Sequence, residues 1–457
     1  MAVSDAPPPR QNASHVVPLR LDIRKVIGLL ALYASLVLYE FCHRFMLEHW
    51  LSDIYGYFQM YYDKGRPETY FWICILTPIT ILPAGTKLTN ASQIIFSVFM
   101  AFVGLPTPLY FVHFVAPAAF PIAYFYFLVC FTLLAIATRI QLPPIPSPFG
   151  ERGYKRLMWI TVAIMIATFV YGMTQDFHLV SFAQLYETRY SEEVNGALVQ
   201  RVATMYVFSF GSLFLALALM FRRFLYIAAI MVGYVLCYGM IYQKTALLAP
   251  LWLIYAYVCA RFFVRDSTAK FYLALGAPFY LGVIWYLISP STASAGANLI
   301  QYEYMGTVLF RLYAVTANAS GLYYTFFQNH PHTFWSHITG VNFFLRYPYG
   351  DHTVAVEMQR AYELGNYNAS FLATDAIEAY GYEALPIVAL FVAATFIFLN
   401  TASRGFSTRA LAVLMVMPAF AVVNIPFATT LLTEGIAFLG LYMAWMPRAW
   451  LARSHNM

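Results

Sequence analysis

Charge is scarce in this chain. Asp, Glu, Lys and Arg make up 11% of its 457 residues, against roughly 25% in soluble domains, and that scarcity excludes a soluble globular enzyme. Paired cysteines are also lacking. The five present (Cys42, Cys74, Cys130, Cys237 and Cys259) lie in or beside apolar runs without the spacing of a zinc site or a disulfide framework, and they read as small core residues. Short alternating segments of about 10 residues are absent too, which excludes a porin-like barrel. What remains is an integral membrane protein with 61% hydrophobic residues.

Apolar runs near the ~20 residues that a helical crossing requires recur along the whole length. They predict an all-α, polytopic transmembrane helical bundle of about 12 spans: 26–45, 70–86, 92–112, 119–138, 157–174, 202–220, 224–241, 245–263, 271–289, 380–399, 410–427 and 429–447. Residues 1–25 read as a cytoplasmic tail, and 26–457 as a single membrane-embedded domain. Pro78, Pro83, Pro106, Pro108 and Pro117 make the region 70–118 prone to broken or re-entrant helices.

Positive residues accumulate on the cytoplasmic side of membrane proteins. With the N-terminus inside, the cytoplasmic set includes Arg20, Arg24, Lys25, Lys87, Arg139, Arg152, Lys155, Arg156, Arg222, Arg223, Arg265, Arg404, Arg448 and Arg453. In all, 18 of the 27 basic residues fall there, joined only by Asp5, Asp22, Glu151 and Asp266. The other acidic residues then fall on the outer side or at outer helix ends. The net charge of +6 is thus an orientation signal, and no nucleic-acid partner is needed to explain it. The expected location is a bacterial inner membrane, with both termini cytoplasmic. The outer side then carries the polar mass, in loops at about 175–201 and 290–379; the second is rich in aromatics and His and reads as a partly helical periplasmic cap.

Chemistry is therefore expected outside. Lys244, in "GMIYQKTALLAP", either snorkels from a helix end or binds phosphate near the membrane surface. Arg311 lies on an amphipathic stretch with Leu312, Val315, Ala319 and Leu322 at helical spacing. Its planar fork suits a phosphate, or an internal pair with Glu303 or Glu378. "LYETRY" sets Arg189 and Glu187 among aromatics, as on a sugar-binding surface or in plain surface ion pairing. The cluster His330, His332, His337 and His352 lacks zinc spacing; His330 and His332, which follow Arg311, are the favoured bases or hydrogen-bond donors. Finally, "GNYNASFLATDAIEAYG" delivers Asn366, Asn368, Ser370, Asp375 and Glu378 to the mouth of a late helix. One such residue suffices for a cap, so the others point to sugar hydroxyls or an internal network.

The many spans, the enlarged outer loops, "FRLYAVTANASGLYYTFFQNHP" and "GNYNASFLATDAIEAYGYEALP" resemble the bacterial O-antigen and capsule repeat-unit polymerases, often called Wzy. Some of those proteins space an Arg and a Gly by ten residues in an outer loop; here Arg311 and Gly321 enclose nine. The resemblance implies a membrane-embedded glycosyltransferase of polysaccharide and lipopolysaccharide biosynthesis that needs neither metal nor cofactor. It would transfer a growing glycan from undecaprenyl pyrophosphate onto a new lipid-linked repeat unit at the periplasmic face. A flippase and a chain-length regulator would be its partners. In that reading Arg311, Lys244 and Arg189 hold the diphosphate and Asp375 or His330 is the base. Asn366, Asn368 and Glu378 contact sugar. A ligase joining finished glycan to a lipid A core shares topology and donor. A polysaccharide transporter, or a membrane O-acyltransferase using His113, is a further alternative.

Overall fold

Among the described residues, long runs without charge clusters become ten helices of 18 to 32 residues, each long and apolar enough to cross a membrane. The computed structural model describes residues 22–175, 177–180, 196–289, 299–338, 340–350, 352–364 and 369–455. Among these residues the chain is all helix and loop, with one isolated bridge between Lys87 and Ser267. The spans are Ile23–Ile54, Ala91–Phe114, Phe120–Ala137, Glu151–Gln175, Ala197–Met220, Phe224–Ile241, Lys244–Val264, Thr268–Ile288, Tyr382–Ala402 and Phe427–Ala444. Two of the twelve expected spans differ. Residues 70–86 split into an α-helix, Pro67–Leu76, and a tighter 3-10 segment, Thr77–Ala84, where Pro78 and Pro83 remove backbone donors. The run at 410–427 forms Thr408–Asn424, only 17 residues long.

Ala91–Phe114 is the buried axis of the bundle. Thr408–Asn424, Tyr382–Ala402 and Thr268–Ile288 pack around it, as does a helix spanning 299–327. Polarity alone puts that last element in a cap above the membrane. It is instead wedged into the bundle, because Thr316–Leu322 and Phe326–Phe327 are small or apolar and all buried. Its Gly321 lies against Phe114 so closely that an added Cβ would sit 2.0 Å from the ring.

Prolines inside these helices free carbonyls, and neighbouring hydroxyls take them up. Pro106 has no N–H to donate four residues back, to Phe102, whose carbonyl accepts from Thr316 Oγ1 at 2.8 Å. The wide turn Met100–Gly104 also diverts Leu105 N–H to Met100, and the Ala101 carbonyl accepts from Tyr39 at 2.6 Å. Pro278 likewise frees Ala274, which accepts from the Tyr255 hydroxyl. Pro418 frees Leu414, which accepts from Ser212 Oγ at 3.2 Å. In a medium without water each orphan carbonyl would be costly, so these bonds tie helices together where the chain bends.

One end of the bundle is stitched by side-chain amides. Asn400 Nδ2 donates to the Ala137, Thr138 and Ile140 carbonyls at 3.0 to 3.3 Å, while its Oδ1 accepts from the Ser92 N–H and hydroxyl. Asn90 adds a bond to Thr138 at 2.8 Å, and Gln93 one to Ala84 at 2.7 Å. Lys87, Arg139, Arg404 and Arg409 border this stitched region in sequence, and the Lys87–Ser267 bridge brings the turn of Arg265 beside it, so basic residues gather there. At the opposite end Arg66 pairs with Asp63 at 2.8 Å and donates to the Val112 and Val115 carbonyls, closing the axial helix.

Candidate functional site

At the end opposite the stitched one, the stretch that opens at Ser370 folds as a wide π turn, Leu372–Ile377, running directly into Glu378–Tyr380. Turns of this kind occur often at functional sites. Asp375 and Glu378, three residues apart, are both buried. Asp375 Oδ2 accepts from the Thr374 hydroxyl and from the Phe427 N–H, each at 2.8 Å. Because Phe427 opens the helix Phe427–Leu432, the carboxyl of Asp375 caps that helix from a distant part of the chain. Trp335 Nε1 donates to the Asp375 carbonyl at 2.8 Å, fixing the segment from the other side. Burial pushes the Asp375 carboxyl up to about 6, with its hydrogen bonds opposing the rise.

Glu378 faces a histidine. Its Oε1 lies 3.3 Å from His337 Nδ1. Burial holds the Glu378 carboxyl well above the usual carboxylate range, and the Asp375 charge adds to the rise. Burial also pushes the His337 imidazole down to about 4. Both shifts favour the uncharged forms, so the close approach is that of a neutral acid and a neutral base, not of an ion pair. Thr333 N–H donates to the Glu378 carbonyl at 3.0 Å, and His332 Nδ1 lies 3.3 Å from the same oxygen. The cluster therefore joins the loop 331–337 to the π turn through backbone as well as side chains.

The expected site residues divide. Asp375 and Glu378 come together, but the histidine that meets them is His337. His330 is exposed, stacked on Phe326 at 3.9 Å, with Nδ1 2.8 Å from the Phe326 carbonyl of its own helix. Arg311 is exposed on Met305–Ala314 and forms no ion pair or hydrogen bond among the described residues. The internal pair with Glu303 or Glu378 is thus not made, and the guanidinium is left for another anion. Lys244 is half-buried at the start of its helix, beyond Tyr242, whose hydroxyl lies 3.5 Å from His178 Nδ1. Arg189, Asn366 and Asn368 lie outside the described residues. Among the described residues no three His, Cys, Asp or Glu side chains gather as a metal site would require.

Two further acids escape a reading of the sequence alone. Glu434 is buried beside Ser209, which donates to its carbonyl at 2.6 Å, and its Oε2 has no partner among the described residues. The charge count places Glu40 with the outer acids; it lies instead near the midpoint of Ile23–Ile54, fully buried. His43, one turn on, is equally buried and stacks on Phe279 at 4.1 Å. A lone acid inside an apolar run, as in "LTEGIAF" and "VLYEFCH", is the signal that would have found both. No protein-family model, curated protein or solved structure matches the chain.

Proposed function

We propose that this protein is a membrane-embedded glycosyltransferase that joins lipid-diphosphate-linked oligosaccharide units at the outer face of a bacterial inner membrane. The observation that carries the reading is the buried Glu378 beside the half-buried His337 at a capped π turn; Arg311, on the helix whose later turns pack against that π turn, has no ion pair among the described residues. With the basic, amide-stitched end inside, as the distribution of positive charge favours, this cluster faces outward.

In the proposed reaction the acceptor hydroxyl gives its proton to His337, whose Nδ1 lies 3.3 Å from Glu378 Oε1 and whose two ring nitrogens are buried without a hydrogen-bond partner among the described residues. The acceptor oxygen forms a bond to the anomeric carbon as the bond from that carbon to the diphosphate oxygen breaks. The electron pair leaves with the diphosphate, where Arg311 and Lys244 stabilise the developing charge. Burial keeps the imidazole neutral and able to accept a proton, while the same burial makes it a weaker base than one poised near neutral pH. The base role accordingly moves from Asp375 and His330 to His337, while Asp375 keeps a positioning role. Sugar contacts by Arg189, Asn366 and Asn368 belong to the same reading, as do the flippase and chain-length regulator as partners. The test is purified protein given synthetic undecaprenyl-diphosphate repeat units, with product resolved as a ladder. Arg311→Ala is expected to slow ladder growth by roughly 10²-fold or more. An unchanged ladder, or Arg311 reached by a membrane-impermeant reagent only from inside the cell, would remove the reading.

A further inference from the structure

A groove of about 570 Å³ opens between Glu151–Gln175, Ala197–Met220 and Phe224–Ile241, on the flank of the bundle and independent of the proposed reaction. It exists because Glu151–Gln175, the least buried of the spans, touches the other two mainly near its far end. There Gly172 sits so close to Val199 and Met240 that a Cβ would come within 2.8 Å of either. At its near end Tyr154 instead donates to the Tyr442 carbonyl at 3.0 Å, which holds the helix away from its neighbours. The walls between are apolar and include Met165, Phe169, Tyr206, Leu217, Ile230 and Leu236.

The mouth is built differently. Trp450, Phe221, Lys155 and Arg223 all line it. Trp450 donates Nε1–H to Glu151 at 3.3 Å, and Lys155 Nζ lies 2.8 Å from Glu151 and 5.9 Å from the Trp450 ring. The Arg453 guanidinium lies 4.8 Å over Phe221. Arg223 is exposed, without an ion pair among the described residues. Three cations with one carboxylate leave the rim positive, and the Trp belongs to the interfacial type that marks the headgroup level. The 14 residues from Lys155 to Phe169 rise about 21 Å at about 1.5 Å each. Half of a ~30 Å hydrocarbon core is about 15 Å, so the groove runs from the headgroups to the bilayer midplane.

We infer that this groove holds one anionic phospholipid of the leaflet on the basic side of the bundle, its phosphate at Arg223 and Lys155 and an acyl chain along Phe169 and Tyr206. Its one-leaflet depth fits an acyl chain, whereas a polyprenyl chain is far longer. The test is native mass spectrometry of the full chain in detergent, with phosphatidylglycerol, phosphatidylethanolamine or undecaprenyl phosphate added singly. Retention of one phosphatidylglycerol is expected, weakened about fivefold by Arg223→Gln, as loss of one surface cation predicts. Ala229→Trp, which fills the groove from an exposed position, is expected to abolish retention with gel-filtration behaviour unchanged. Equal retention of phosphatidylethanolamine, preferential retention of undecaprenyl phosphate, or binding insensitive to both variants would overturn the assignment.

Discussion

Replacing Asp375 by asparagine separates a carboxyl that caps a helix from one that takes a substrate proton. Its pKa rises from 3.8 to about 6 on burial, a shift of about 2 units, which at 1.36 kcal/mol each is about 3 kcal/mol. The folded value lies above the unfolded one. The stability that protonation contributes is therefore fully present below pH 3.8 and is lost as pH rises through 6, so at neutral pH the ionised form costs about 3 kcal/mol. The Thr374 and Phe427 bonds both end on one oxygen, Oδ2, which an asparagine carbonyl can replace, and the Ala428 backbone adds a further contact to the carboxyl. The shift is already net of the hydrogen bonds that oppose it, so Asp375→Asn, which removes the charge and keeps an acceptor oxygen, should regain about 3 kcal/mol at neutral pH. The assay is apparent melting temperature in detergent from pH 4.5 to 7.5, with ladder formation measured beside it. The expected result is melting above wild type at pH 7.5, a shallower loss of stability between pH 4.5 and 7.5, and activity within about tenfold of wild type. Asp375→Ala, which leaves the Phe427 N–H unsatisfied, should cost about 1–3 kcal/mol relative to Asp375→Asn. An Asp375→Asn protein that keeps the full wild-type pH slope would refute the burial argument, and a 10²-fold loss of activity would return Asp375 to the role of base.

Three other outcomes follow from packing. Thr316→Val keeps shape but strips the donor from the Phe102 carbonyl, and should lower stability by about 1–3 kcal/mol; unchanged melting would end the claim that hydroxyls repair proline breaks. Asn400→Ala removes five bonds at once and should cost at least as much as the largest single buried bond, about 3 kcal/mol, with faster hydrogen exchange confined to 137–142 as its signature. Gly321→Ala forces a methyl into the Phe114 ring, an overpacking cost of about 1–3 kcal/mol. Phe114→Leu in the same chain should recover part of that loss, and absence of recovery would place the strain elsewhere.

Hydrophobic run length revealed the bundle because a bilayer demands it residue by residue, and ten of the twelve expected spans stand as helices. The exception at 70–86 turned on Pro78 and Pro83, whose missing donors outweigh an apolar composition. The placement of 299–327 was not legible. Mean hydropathy ranks Thr, Asn, Ser and Gly as polar, yet Thr316, Asn318, Ser320 and Gly321 are buried against the axial helix, where small size and hydrogen bonding decide. Asp375 and Glu378 could be found because five polar residues exceed what one cap needs. His337 could not be told from His330, since only the fold sets which imidazole turns back toward the π turn. Glu40 was hidden by its neighbours, a single acid averaged away by the leucines around it.

The π turn Leu372–Ile377 carries a spare residue within its rise. Deleting Ala373 would let an ordinary α-helix form with the residues after it kept in phase, whereas one further inserted residue, with no wide turn left to absorb it, would swing them by about 100° and carry Glu378 off His337. That surplus residue works as slack at the acidic end, so this stretch should tolerate the loss of one residue more readily than the gain of one.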